Sequence, residues 1–73
     1  MGIEEHNHQL LAAERRGMER AAEFHDKAAI AASEKMEWYE DRGMYEYANI
    51  SSSRMNIHLE AALHFRAEAN KLK

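Results

Sequence analysis

The chain has 73 residues, 45% of them hydrophobic and 32% charged, with a formal net charge of −3 and no cysteine or proline. One small domain fits in that length, without disulfide staples or thiolate metal sites, and a single core of this size is marginal. The mixed charge excludes the basic stripe of a nucleic-acid binder, and no apolar run reaches the ~20 residues of a membrane span.

The opening Met1-Gly2-Ile3-Glu4-Glu5-His6 has neither a signal-peptide apolar core nor the Ser/Thr at position six that myristoylation requires, so a cytoplasmic protein is expected. From there the composition favours helix. Alanine recurs in pairs (Ala12-Ala13, Ala21-Ala22, Ala28-Ala29, Ala31-Ala32, Ala61-Ala62), and β-branched residues are scarce. Alanine promotes helix while contributing little apolar area, so helicity is strong and core burial per chain weak.

The first element is a helix over about 5–41. Leu11, Arg15, Met18, Ala22, His25, Ala29, Ala32, Met36 and Tyr39 follow one another at alternating steps of four and three. That rhythm is the seam of a helix lying along another at a shallow angle. Next comes Glu40-Asp41-Arg42-Gly43, where Gly43 is the natural residue to close a helix in a left-handed conformation. A turn over 41–43 is short enough to force antiparallel neighbours.

The second helix is expected over about 44–71, with its own seam through Met44, Ala48, Ser51, Met55, His58, Ala62, Phe65, Ala69 and Leu72. Ser51-Ser52-Ser53 is the weak point, since serine competes for backbone hydrogen bonds and could cap a separate third helix near Arg54. The seam keeps its phase through the serines, which favours a continuous helix. The fold class is therefore all-α: residues 1–73 form a single helical hairpin of two long antiparallel helices.

A second apolar stripe argues for assembly. Leu10, Phe24, Ala28, Ala31, Ile50, Ile57 and Ala61 flank the seams and have no partner within one hairpin. Pairing two hairpins into a four-helix bundle would cover them, so these residues are the expected homodimer interface.

Folding about Gly43 pairs seam positions whose numbers sum to about 83. Tyr39 then faces Met44, Met36 faces Ala48, Met18 faces Phe65, and His25 faces His58. Two imidazoles in one layer suit zinc or copper. Two ligands are too few, however, and no carboxylate stands one turn away, so a hydrogen-bonded structural pair outweighs a metal site. The only Glu-x-x-His, Glu5/His8, is unmatched on helix 2, and His6 with His8 reads as an exposed terminus. Met18, Met36, Met44 and Met55 fall on the seams and read as core filler. No cofactor is expected.

Around the turn cluster Trp38, Tyr39, Tyr45 and Tyr47, four of six aromatics, rimmed by acids. They close the end of the hairpin, and Trp38, Tyr45, Tyr47, Glu37 and Asp41 are the candidate protein-binding residues. Arg15, Arg16, Arg20 and Lys27 alternate with Glu14, Glu19 and Glu23 as a solvated face. No Gly-rich phosphate loop, cysteine nucleophile or Ser–His–Asp set is present, so a non-enzymatic module is expected.

From about Glu19 onward the chain resembles small alanine- and histidine-rich bacterial helical-hairpin proteins without assigned function. The matching residues are Ala21, Ala22, His25, Ala28, Ala29, Tyr39, Gly43, Glu46, Ala48, Ala62, His64 and Ala69. The resemblance implies a helical bundle and no activity. The expected function is a homodimeric interaction or assembly module, adaptor- or inhibitor-like, that binds another protein. The alternative is a transition-metal-binding four-helix bundle using His25 and His58.

Overall fold

A computed structural model describes the backbone of residues 2–72 and the side chains of residues 7–72. It contains two helices, α1 (Gly2–Asp41) and α2 (Tyr45–Lys71), packed antiparallel as a hairpin, with no strand among the described residues. The helix over 5–41 starts one turn earlier than its periodicity indicated. Apolar spacing is a weak guide there, because the seam has no partner beyond Leu11.

The turn is built as Gly43 demands. Its φ is +70°, the left-handed region that glycine enters without steric cost. The Gly43 N–H donates to the Glu40 carbonyl at 3.0 Å and the Met44 N–H to the Tyr39 carbonyl at 2.9 Å. This pair of bonds, a Schellman motif, satisfies carbonyls that the end of α1 would otherwise leave open. Arg42 adds a third, its Nη1 donating to the Trp38 carbonyl at 3.0 Å. Met44 serves as N-cap of α2 and offers no side-chain acceptor, but its carbonyl takes the first helical bond from the Ala48 N–H at 3.0 Å.

α2 runs unbroken through Ser51-Ser52-Ser53. Packing overrides the poor propensity of serine here. Ser51 is 4% exposed in the seam, where a residue of alanine size lets the helices approach closely. No third helix forms.

The core itself is almost entirely alanine. Ala22, Ala29, Ala32, Ala48, Ala62 and Ala69 are buried with Ser51, and no large side chain is fully buried among the described residues. Small seam residues allow the two axes to approach closely. The larger seam residues, Met18, Met36, Tyr39, Met55 and Phe65, lie half-buried along the edges. The register is the expected one, since His25 meets His58 and the numbers sum to 83. Leu11 and Leu72 line one groove at the far end, with the same sum. α1 therefore continues beyond the end of α2, which accounts for a long dimension of 63 Å against the ~40 Å of 27 helical residues.

Candidate functional site: the histidine face

An antiparallel hairpin has two broad faces, one on each side of the seam. On the first, a shallow groove is lined by Ala28, Ala31, Ala32, Lys35, Ser51, Arg54 and His58. On the second, a groove is lined by Asp26, Ala29, Ile30, Ser33, Met55 and Leu59. The 4-3 seam explains the division. It consists of two rows at seven-residue spacing, and the row through His25, Ala32, Ser51, His58 and Phe65 borders the first face. The row through Ala22, Ala29, Met55 and Ala62 borders the second.

The histidine pair is the centre of the first face. The Nδ1 atoms of His25 and His58 are 2.8 Å apart, a hydrogen bond in which one ring donates and the other accepts. The two rings therefore hold complementary protonation at Nδ1. Both are half-buried. Phe65 stacks on His25 with ring centroids 5.7 Å apart and planes 9° from parallel, and Phe24 meets the same ring edge-on at 5.3 Å. Both aromatic contacts are made to the His25 ring. Among the described residues, no group of three or more His, Asp or Glu side chains is placed to hold a metal ion. His25 and His58 supply two nitrogens by themselves. His6 lies outside the residues whose side chains are described, as does Glu5, and His8 is exposed.

The residues expected at a dimer interface fall along the histidine side of the hairpin. Phe24, Ala28 and Ala31 lie on the histidine face, as does Ala61, one turn beyond His58 and seven residues beyond Arg54. Leu10, exposed, stands fourteen residues before Phe24 on the same side of α1. Ile50 and Ile57 stand at the outer edge of this group. They are exposed, one turn from Arg54 and Ala61, and precede Ser51 and His58 by one position as Ala31 and Phe24 precede Ala32 and His25. A polar row through Glu46, Ser53 and Glu60 borders them on the side away from the histidine face.

The aromatic tip divides. Trp38, Tyr39 and Tyr47 form a ladder: Trp38 meets Tyr39 edge-on at 5.2 Å, and Tyr39 stacks on Tyr47 at 5.4 Å. The guanidinium of Arg42 lies 3.8 Å from the centroid of the Trp38 ring and covers one of its faces. Tyr45 is 66% exposed and stands outside the ladder, because two helical steps turn it away from Tyr47. Glu37 and Asp41 are exposed.

The second face holds features that periodicity alone did not single out. Arg66 reaches across to Asp26 with both terminal nitrogens. The hydrogen bond from Arg66 holds the Asp26 carboxyl below its ordinary range, against a smaller opposing effect of desolvation. Beside this ion pair, Ile30 and Leu59 are exposed, with Leu63 one turn further along α2. The signal was present as Leu59 and Leu63 at i,i+4, but Ile30 is isolated on α1 and only the register brings it to Leu59.

No family model, curated protein or solved structure matches the chain. None of the described helices is long and apolar enough to cross a membrane.

Proposed function

We propose that the protein is a non-enzymatic helical interaction module that works as a homodimer and presents its aromatic tip to another protein. One observation carries this reading. Among the described residues the hairpin buries nothing larger than alanine and serine, while Phe24, Trp38, Ile30, Ile57, Leu59, Leu63 and other large apolar side chains are exposed. Burying apolar area is the main favourable term in folding, at about 25 cal/mol per Å². An alanine seam supplies little of it, and a second hairpin laid on a broad face supplies the rest. The resemblance to alanine- and histidine-rich helical hairpins agrees with a bundle that has no chemistry of its own.

At the tip, the Trp38–Tyr39–Tyr47 ladder is a rigid aromatic edge next to exposed acids, the composition of a binding anchor. Tyr45, Glu37 and Asp41 would serve contacts around it.

Sedimentation equilibrium tests the assembly. The full chain should have twice its 8.5 kDa mass at micromolar concentration, and Phe24→Glu should shift it toward monomer with helicity kept. A wild-type monomer at those concentrations would overturn the reading. For the tip, Trp38→Ala combined with Tyr47→Ala should abolish capture of a partner from the native host. Undiminished capture would remove the tip from the mechanism.

A further inference from the structure

The histidine pair occupies a special place along the hairpin. The paired stretch runs from the Leu11/Leu72 end to Tyr39/Met44 at the turn. Position 25 is midway between 11 and 39, and position 58 is midway between 44 and 72. His25 and His58 are therefore the central layer of the hairpin, on a face whose floor is Ala28, Ala31 and Ala32.

We infer that a divalent transition-metal ion of imidazole preference, Zn²⁺ or Cu²⁺, binds at the centre of a two-fold dimer through His25 and His58 of both copies. This inference rests on the self-association proposed above and adds the occupant of the dimer's central layer. The two-fold axis of a face-to-face dimer lies in the contact plane and runs either along the helices or across them. Along them, each layer meets its own copy. Across them, full overlap sets the axis at the midpoint of the paired stretch. In both arrangements the histidine layer meets itself, and four imidazoles gather in one layer of the bundle.

The available area and the charges agree with a second copy as the occupant of this face. The 27 residues of α2 span about 40 Å, and two helices side by side about 20 Å, so one broad face offers about 800 Å², the usual share of one partner in a stable interface. An axis across the helices sets α1 against α1 of the second copy, antiparallel about residue 25. Glu14 then comes within one residue of Lys35 of the second copy, and the reverse, so that unlike charges meet. An axis along the helices sets Glu14 against Glu68 instead, and like charges meet. The crosswise axis is the one the charges favour.

The chemistry requires little rearrangement. The Nδ1 atoms of each pair already converge, 2.8 Å apart, with a proton between them. The ring that donates passes that proton from Nδ1 to Nε2 through solvent, and the ion takes both Nδ1 lone pairs with no net proton release. Tetrahedral coordination at about 2.0 Å per Zn–N bond separates two ligand nitrogens by about 3.3 Å, so each pair opens by about half an ångström. Small side chains at Ala28, Ala32 and Ala61 leave room for the second copy to approach.

Calorimetric titration of metal-free full-length protein with ZnSO₄ or CuSO₄, with sedimentation before and after, tests the site. The expected result is half an equivalent of metal per chain at micromolar affinity or tighter on a dimeric species. His25→Ala and His58→Ala should each weaken it by about a hundredfold while keeping helicity. A His6→Ala/His8→Ala variant should bind as wild type does. A metal-free dimer that takes up no metal, or whose binding survives loss of His25, overturns the site and leaves the self-association standing. A chain that is monomeric with and without metal overturns the self-association and the site together.

Discussion

Asp26 on α1 and Arg66 on α2, forty residues apart in sequence, close a two-armed ion pair across the face opposite the histidines. A fork-to-fork arrangement has the directional geometry that single surface pairs lack. The bond lies beside the seam row through Ala22, Ala29 and Ala62, so it also helps hold the register that brings His25 to His58.

The pair makes stability depend on pH in one direction. The folded Asp26 carboxyl titrates below its ordinary 3.8, chiefly because Arg66 donates to it. The stabilisation is therefore fully present above 3.8 and is lost as pH falls through the lowered folded value. Arg66→Gln should lower the melting temperature at neutral pH, and the gap to wild type should close as pH falls through the lowered folded value of Asp26. A gap that persists in acid would mean that Arg66 acts by packing its stem instead. Both chains exposed to solvent, the effect should also shrink in high salt.

Gly43 and Gly17 should respond to alanine with opposite signs. At Gly43 the added Cβ meets nothing, but φ of +70° is a conformation L-residues avoid, at a cost of about 1–2 kcal/mol. Gly17 is mid-helix with open space around the position, so Gly17→Ala should stabilise by about 0.5–1 kcal/mol. Thermal unfolding at one fixed protein concentration compares the two. Destabilisation by Gly17→Ala would instead point to a close contact at that position in the assembled protein.

The seam should reject volume. Ala22 and Ala62 are each 1% exposed, and Ala62→Leu would force three extra carbon atoms between helices packed on alanine. Overpacking of this kind costs about 1–3 kcal/mol. Urea unfolding should show a lower midpoint than wild type, whereas Leu63→Ala on the exposed surface of the hairpin should change the isolated chain little. A stabilised Ala62→Leu would show that the helices have slack to separate.

Arg42 reports on the tip. The chain has a single tryptophan, so its emission is unambiguous. Arg42→Ala removes the guanidinium from the Trp38 face and the bond to the Trp38 carbonyl, and should cost about 0.5–1 kcal/mol. Steady-state fluorescence should show a red-shifted maximum and easier quenching by iodide or acrylamide. An unchanged spectrum would mean that the stacking is not populated in solution.

Much of the fold was legible because its two strongest determinants are local. Alternating steps of four and three from Leu11 to Tyr39 and from Met44 to Leu72 require two helices that mesh lengthwise. A single glycine at position 43 locates the reversal, since only a residue without Cβ enters the left-handed conformation freely. Together these set the register, and with it the meeting of His25 and His58. The first row of the candidate site was readable for that reason.

Tertiary structure decided what stands beside the seam. Which of Tyr45 and Tyr47 stacks on Tyr39 depends on how each helix is rotated about its own axis, and one position of offset turns a side chain by about 100°. Periodicity describes each helix in its own frame. The bridge from Arg66 to Asp26, the grouping of Ile30 with Leu59 and the cover of Trp38 by Arg42 all arise from two frames, or a helix and its turn, locked together. The sequence by itself determined two helices, their reversal and their register; packing of the alanine seam decided which residues share a face.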